Sequence, residues 1–220
     1  MLEGREIEVV DCGPIEYDEA LDLQQKFFNS LTQAKTDGSM RPGKLIFCEH
    51  PHVYTIGRSG DHANMLISEE TLERIGARLT EVGRGGDITY HGPGQLVGYP
   101  ILDLERFDLG LKEYIERIEQ AVILTLGDWG IEAGRLGGAT GVWIEGKRKI
   151  CAIGVKASRY ITMHGFALNI ATDLDYFSYI NPCGFTDKGV TSMEVETGSA
   201  VSTEEVKKVL APNLIKCLRG

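Results

Sequence analysis

The sequence lacks the features that mark secreted and membrane proteins. No apolar run in its 220 residues approaches the roughly 20 residues that a membrane-spanning helix needs. The N-terminus, MLEGREIEVVDCG, has neither the apolar core of a signal peptide nor the Arg- and Ser-rich character of a transit peptide. We therefore expect a cytoplasmic protein that does not enter a membrane.

Cysteine is scarce and unpaired. There are five cysteines, an odd number, and no CxxC pair, so a disulfide framework is not expected and a reducing compartment is favoured. His50 and His52, in EHPH, could form a metal pair, but no third ligand follows at a usual spacing. The sequence predicts neither a metal site nor a cofactor.

Positive charge is also in short supply. The net charge of −9 argues against binding to nucleic acid, which needs a basic surface. One segment departs from this balance: KRKICAIGVKASR, residues 147–159, has five basic residues and no acidic one. It is interpreted either as the solvated face of a hairpin or as a docking patch for an acidic partner or a phosphate-bearing arm.

The usual nucleotide-binding motifs are missing from the most glycine-rich stretch, RGGDITYHGPGQ at residues 84–95. It contains neither GxxxxGK[ST] nor GxGxxG, and a strand rather than a helix is predicted to follow it. Its glycines would let the backbone approach a substrate closely or adopt positive φ. Two roles remain, a binding loop and a structural corner. In a binding loop Arg84 would bind an anion, and in a structural corner it would hydrogen-bond to neighbouring carbonyl groups.

The apolar pattern predicts one α+β domain spanning residues 1–220, in which a mixed or mostly antiparallel sheet is covered by helices. Amphipathic helices are predicted over 17–35, 111–126 and a C-terminal segment, where Ser202 and Glu205 form a capping box and Pro212 kinks or divides the helix. Ser68 is expected to cap a shorter helix. Strands are predicted over 6–11, 45–48, 53–56, 95–102, 140–145, 149–155 and 161–170.

Four cysteines lie in apolar strands or in helices, where a thiol is usually a small buried hydrophobic group; they are Cys12, Cys48, Cys151 and Cys217. Cys183 differs, because it stands between proline and glycine in NPCGF. A thiol in such a turn is either an exposed nucleophile or an inert residue.

A reactive thiol needs a group that favours its thiolate form, and histidine or lysine can serve. Lys149 opens the apolar run ICAIGV, so its ammonium group could point into a pocket. His91 and His164 both stand beside glycine and are the better pocket candidates among the histidines. A structural role remains an alternative for each of them.

Several separated blocks together resemble one family. They are EHPHVYTIGR, RGGDITYHGPGQLVGYP, GVWIEGKRKICAIGVK, HGFALNI and INPCGFTDKGVTSM. They look like the signature blocks of the octanoyl-[acyl-carrier-protein]:protein N-octanoyltransferases, over roughly residues 6–195. The resemblance implies a fold similar to the catalytic domains of biotin and lipoate protein ligases. It also implies octanoyl transfer from acyl carrier protein to a lysine of the lipoyl domains of 2-oxoacid dehydrogenase E2 subunits and of the glycine cleavage H protein.

The resemblance also implies roles for particular residues. Cys183 matches the acyl-thioester nucleophile, and Lys149 matches the lysine that tunes it. The substrate-binding walls match three blocks: Arg84, Gly85, Gly86, Asp87, Ile88, Thr89, Tyr90 and His91; Ala152, Ile153 and Gly154; and Gly165, Phe166 and Ala167.

Three other functions have to be weighed. An ATP-dependent lipoate or octanoate protein ligase shares the fold but activates the acid as an adenylate and needs no nucleophilic cysteine. A non-catalytic adaptor would bind lipoyl domains without turnover. A cysteine hydrolase would pair the thiol with His91 or His164.

Overall fold

The computed structural model describes residues 4–181 and 188–220, which form two β-sheets and the helices that cover them. The larger sheet has eight strands: β1 (Ile7–Pro14), β2 (Gly43–Glu49), β6 (Gln95–Ile101), β7 (Gly134–Leu136), β8 (Ala139–Ile144), β9 (Arg148–Ser158), β10 (Ile161–Asn169) and β11 (Gly189–Val190). Their order is β1-β2-β6-β10-β9-β8-β7, and β11 pairs with β9. The smaller sheet has the order β4-β3-β5, with β3 (Val53–Ile56), β4 (Arg78–Glu81) and β5 (Ile88–His91).

Most neighbouring strands of the larger sheet are antiparallel, while β1 pairs with β2, and β11 with β9, in parallel. The predicted α+β fold with a mixed, mostly antiparallel sheet is confirmed. The pair β9–β10 is a hairpin that places Gly154 opposite Gly165 and Ala152 opposite Ala167. Two of the three predicted substrate-binding blocks are therefore cross-strand neighbours.

Helices pack on both faces of the larger sheet. On one face lies α1 (Tyr17–Asp37), whose Ala20 and Leu31 enter a core with the sheet. The other face is covered by α3 (Leu111–Gly127) and α5 (Thr203–Arg219), with Ile118, Leu210 and Leu214 fully buried. Shorter helices are α2 (Glu69–Arg74) and α4 (Met193–Thr197). No helix among the described residues is long and apolar enough to cross a membrane.

The predicted helix starts agree with the structure. Ser68 Oγ accepts a hydrogen bond from the Thr71 backbone, and Ser202 Oγ accepts one from the Glu205 backbone, so each side chain satisfies an exposed N–H at a helix start. The predicted division of the last helix at Pro212 is wrong, because α5 is continuous from Thr203 to Arg219. Buried leucines on both sides of the proline, Leu210 and Leu214, hold the helix against the core.

Two strands of the smaller sheet escape prediction. The segment that contains β5 was expected to be a loop or corner because it is rich in glycine and poor in apolar residues. In the structure Ile88–His91 pairs antiparallel with β3, and β4 pairs parallel with β3 on its other side. These strands are specified by partners distant in the chain, which local composition does not reveal.

Candidate functional site

A single cavity brings both sheets together. Its walls come from the segment before and within β5, from β6, β9 and β10, and from Trp143 on β8 and Tyr17 on α1. It encloses about 1000 Å³ of empty space, including its open mouth. Val97, Ile153 and Phe166 supply much of an apolar lining, while polar groups are gathered on strands β5, β6 and β10.

Most residues predicted to bind substrate line this cavity. Those that do are Arg84, Gly86, Asp87, Ile88, Thr89, His91, Ala152, Ile153, Gly154, Gly165, Phe166 and Ala167. Gly85 and Tyr90 are not among its lining residues. Tyr90 is fully buried elsewhere, against Tyr54 and Tyr176, because successive side chains on a strand point to opposite faces.

The buried guanidinium group of Arg84 ties the loop before β5 to β3. It donates to the Thr55 carbonyl (2.6 Å), to Thr55 Oγ1 (2.7 Å) and to the carbonyl groups of Gly85 (3.0 Å) and Asp87 (2.8 Å). These contacts support the structural interpretation of Arg84 over anion binding. A lysine could not reproduce them, because its single ammonium group lacks the planar fork of donors.

We expect Arg84→Met to lower the free energy of unfolding by roughly 3 kcal/mol or more, since it leaves several buried carbonyl groups without their donor. Denaturant titration measures this directly. Arg58→Met is the matched control, because Arg58 is exposed on the neighbouring loop. Equal stabilities for the two variants would contradict the structural role.

Gly154 lets that same loop lie directly on β9. A Cβ at this position would come within 3.0 Å of both Arg84 Cδ and the Gly85 carbonyl oxygen. The Gly85 N–H donates to the Val155 carbonyl at 2.9 Å. Gly154 therefore sets the close spacing between the two sheets at the cavity.

Lys149 lies on β9 with its side chain in the cavity wall. Its Nζ is 4.7 Å from the centre of the Trp143 ring, a cation–π distance. Its Cδ and Cε pass close to the position where a Cβ on Gly141 would stand, 3.6 and 3.5 Å away. Gly141, with φ +125°, thus leaves room for the lysine stem.

A second lysine, which the sequence analysis did not single out, joins Lys149. Lys188 Nζ is 5.9 Å from the same Trp143 ring and donates to the Gly146 carbonyl at 3.2 Å. Two ammonium groups therefore share one aromatic side chain at the cavity wall. The sequence offered one signal, the position of Lys188 in the same block as Cys183.

Cys183 lies in residues 182–187, outside the described part of the chain. The described chain resumes at Lys188, and the next strand runs beside the predicted lysine: Val190 pairs with Lys149, and the Thr191 N–H donates to the Lys149 carbonyl at 3.0 Å.

The other four thiols are packed as small hydrophobic groups. Cys48 and Cys151 are buried, and Cys12 and Cys217 are half-buried. Burial raises the pKa of all four thiols above the usual value, and in Cys151 the nearby Lys149 charge opposes that effect without overcoming it. The prediction that these four are structural agrees with their environments.

The basic run 147–159 does not form one patch. Arg148 is bound to Glu145 at 2.8 Å and to Glu196 at 3.1 Å, and Arg159 stands beyond the opposite end of β9. Since β9 has eleven residues, these arginines are separated by roughly 35 Å. The basic residues are therefore spread along β9 rather than gathered in one cluster, and a docking role for them stays a prediction.

The two histidines of EHPH serve different structural clusters. His50 Nδ1 donates to the Ile15 carbonyl at 2.9 Å, and its Nε2 lies 2.8 Å from the Tyr99 hydroxyl. His52 stacks on Tyr176 with ring centres 4.2 Å apart. Among the described residues, no group of three or more His, Cys, Asp or Glu side chains could hold a metal ion.

His164 occupies an unusual backbone position in the cavity wall. Its φ is +57° within β10, a conformation that non-glycine residues rarely adopt. Burial, together with the charges of Arg84 and Lys156, lowers the pKa of its imidazole to about 4. The folded state therefore holds this side chain neutral.

A neutral His164 makes stability depend on pH in one direction. Because its pKa is about 4 in the folded state and near 6.5 in the unfolded chain, only the unfolded chain gains this proton between those values. Falling pH therefore destabilises the protein by up to about 1.4 kcal/mol per pH unit from this group. His164→Asn, which tolerates positive φ, should flatten the unfolding free energy between pH 6.5 and 4. An unchanged slope in urea titrations would contradict a neutral His164.

The cavity also has polar residues that sequence reasoning missed. They are Tyr17, Gln95, Tyr99, Trp143, Asn169 and Lys188. Gln95 is the last residue of RGGDITYHGPGQ and Asn169 the second-last residue of HGFALNI, and membership of these blocks was the only signal for them. Tyr17 comes from α1, where helical periodicity marks it as an ordinary core residue.

The chain that forms this site is similar in sequence to known proteins over nearly its whole length. The family model described as lipoyl protein ligase A/B catalytic domain matches residues 16–215. A protein of Bacteroides fragilis named octanoyltransferase is 58% identical over 212 residues, covering 94% of this chain and 96% of that protein. One of the same name from Bacteroides thetaiotaomicron is 56% identical over 214 residues, covering 96% and 94%.

Solved structures share the fold at low identity. Lipoate-protein ligase A bound with ATP has a TM-score of 0.71 at 17% identity, covering 97% of this chain and 85% of that one. Biotin protein ligase from Aquifex aeolicus has a TM-score of 0.53 at 11% identity, covering 98% and 69%. The predicted similarity to both kinds of ligase domain is confirmed.

Proposed function

The chain belongs to the lipoyl protein ligase A/B catalytic domain family, and within it to the octanoyltransferases, which are acyltransferases; from this premise we propose that it moves an octanoyl group from acyl carrier protein to a lysine of a lipoyl domain. The acceptors in this proposal are the lipoyl domains of E2 subunits and of the glycine cleavage H protein. The observation that carries it is a largely apolar cavity with the Lys149 ammonium group in its wall.

The lining of the cavity suits an eight-carbon chain. Val97, Ile153 and Phe166 offer apolar contacts, and Ala152 and Ala167 leave room between them. Burial of a methylene group contributes about 0.8 kcal/mol, so an octanoyl chain gains several kcal/mol on entering. This is enough to hold the acyl group while its reacting end meets the lysine.

The octanoyl group is transferred in two steps, first onto the sulfur atom of Cys183 and then from it to the acceptor lysine. The thiolate of Cys183 attacks the octanoyl thioester carbon, the bond to the carrier sulfur breaks, and the carrier thiolate takes up a proton. The acceptor lysine amine then attacks the Cys183 thioester, a C–N bond forms, and the C–S bond breaks. One amine proton passes to the departing Cys183 sulfur, which restores the thiol.

Lys149 stabilises the thiolate at the start and the end of this cycle through its positive charge. Its Nζ lies over the Trp143 ring, and this cation–π contact helps to hold the ammonium group in the cavity wall. Transfer from a thioester to an amide is downhill, so no ATP is consumed.

The test is transfer in a mixture of octanoyl carrier protein, an apo lipoyl domain and the enzyme, with no nucleotide present. A mass increase of one octanoyl group on the lipoyl domain is the expected result. If modification instead needs ATP and free octanoate and releases pyrophosphate, the protein is a ligase. Binding of the lipoyl domain without modification under either condition would identify an adaptor.

A further inference from the structure

A chain of buried side chains connects the backbone next to Lys149 with His91. Asn169 Nδ2 donates to the Thr191 carbonyl at 3.0 Å, and Asn169 Oδ1 accepts from Gln95 Nε2 at 2.9 Å. Gln95 Oε1 lies 2.8 Å from His91 Nδ1. All three side chains line the cavity and are at least nine-tenths buried.

The direction of every hydrogen bond in this chain is fixed by its carbonyl ends. The Thr191 carbonyl can only accept, so the amide nitrogen of Asn169 must face it and its oxygen must face Gln95. Gln95 Nε2 therefore donates to that oxygen, and it also donates to the Tyr90 carbonyl at 3.1 Å. The Gln95 oxygen is left for His91 Nδ1, which must carry the proton.

The neutral imidazole of His91 accordingly has its lone pair on Nε2. Burial, reinforced by the neighbouring His50 and Arg84, lowers the pKa of His91 to about 3, so the ring stays neutral at ordinary pH. Its face lies against Tyr17 with ring centres 6.1 Å apart and planes 18° apart. The ring is therefore fixed in both tautomer and orientation.

The same chain fixes the distance between His91 and the Lys149 strand. Thr191, which anchors Asn169, donates its own N–H to the Lys149 carbonyl at 3.0 Å. Its hydroxyl donates to Glu196, which in turn binds Arg148 next to Lys149. His91 on β5 and the backbone of Lys149 on β9 are thus joined through one network of hydrogen bonds.

We propose that Asn169 and Gln95 position His91 so that its Nε2 accepts an N–H hydrogen bond from the amine that attacks the acyl group. This inference rests on the proposed function. Attack on the acyl carbon requires the acceptor lysine in its uncharged amine form, because an ammonium group has no lone pair. A hydrogen bond from one amine N–H to a fixed acceptor orients the amine lone pair toward the carbonyl carbon.

The side-chain oxygens of three other cavity residues, Asp87, Gln95 and Asn169, already accept hydrogen bonds. Asp87 accepts from Asn64 at 2.7 Å and from the Ile88 backbone at 2.7 Å. The Gln95 oxygen accepts from His91, and the Asn169 oxygen accepts from Gln95. In the transfer step the C–N bond forms, the C–S bond breaks, and one amine proton goes to the departing sulfur. His91 holds the other N–H and ends the step unchanged.

The test separates the two half-reactions in His91→Phe, which keeps a ring of similar size and removes the acceptor. Because His91 also lines the cavity, acyl-enzyme formation from octanoyl carrier protein, followed by intact-mass spectrometry, is expected to slow as well, but by a smaller factor than the second half-reaction. Consumption of the acyl-enzyme by the lipoyl domain should slow by at least about tenfold, the order of one lost oriented hydrogen bond. His91→Gln, which restores an acceptor, should recover part of the rate. Equal slowing of both half-reactions would overturn the proposal.

Gln95→Leu tests the positioning role. It should reproduce the selective loss in the second half-reaction, and the ¹⁵N chemical shifts of His91 should change from a fixed Nδ1–H tautomer to a mixture. His52→Phe is the matched control, since His52 stacks on Tyr176 and does not line the cavity.

The tautomer can also be measured in the wild-type protein alone, whatever the variants do to folding. A wild-type His91 with its proton on Nε2 would overturn the proposal. A wild type that forms no acyl-enzyme, but shows the Nδ1–H tautomer, would instead overturn the proposed function and leave the assigned orientation standing.

Discussion

Cys183→Ser is expected to abolish acyl-enzyme formation and to reduce octanoyl transfer on the order of 10³-fold or more. The reason is chemical: a serine hydroxyl has a far higher pKa than a thiol, so Lys149 cannot keep it ionised near neutral pH. The measurement is intact-mass spectrometry after incubation with octanoyl carrier protein. Wild type should gain one octanoyl group, and the variant should gain none.

The other thiols offer controls for this experiment. Cys151 is the most informative, because it lies on β9 two residues from Lys149 yet is fully buried with a raised pKa. Cys151→Ala should therefore acylate like wild type once its stability has been checked. An undiminished adduct in Cys183→Ser would remove Cys183 as nucleophile, and loss of that adduct in Cys151→Ala would move the role to Cys151.

Sequence patterns predicted the fold where apolar periodicity was strong. The strand at 53–56 agrees with β3 residue for residue, and the helix predicted over 111–126 agrees with α3 to within one residue. The failure at β5 has a physical cause. Ile88–His91 is stabilised by pairing with β3 across some thirty residues of chain, and its buried polar side chains hide the alternation that marks a strand.

The candidate site was predictable in part for a similar reason. Blocks 152–154 and 165–167 meet because β9 and β10 form one hairpin, which their closely spaced apolar runs indicate. The turn itself has no glycine: Arg159 and Tyr160 form it, both at positive φ. A contiguous block on a strand cannot all face one cavity, however, and Tyr90 accordingly lies on the other side of β5 from His91. Lys188, Gln95 and Asn169 matter through contacts between distant strands, which no local pattern encodes.

Lys149→Met is the second substitution with a large expected effect. Methionine keeps an unbranched stem of similar length over Gly141 and against Trp143, so the variant removes the charge with little change in packing. Without that charge the Cys183 thiolate is less favoured, and the pKa of the thiol should rise. Both half-reactions should slow by about 10²-fold at pH 7, since each has this thiolate as attacking or leaving group.

The measurement for Lys149→Met is the rate of Cys183 alkylation as a function of pH, with the modified residue identified by peptide mass spectrometry. The midpoint should move to higher pH than in wild type. Lys156→Met is the matched control, because Lys156 is also half-buried on β9 but lies beside Gly83, seven residues along the strand. Lys188→Met tests whether the charge acts alone, since both ammonium groups approach the Trp143 ring. A wild-type alkylation profile in Lys149→Met, or an equal shift in Lys156→Met, would remove Lys149 from its proposed role, because a charge that favours the thiolate must act on the thiol from close range.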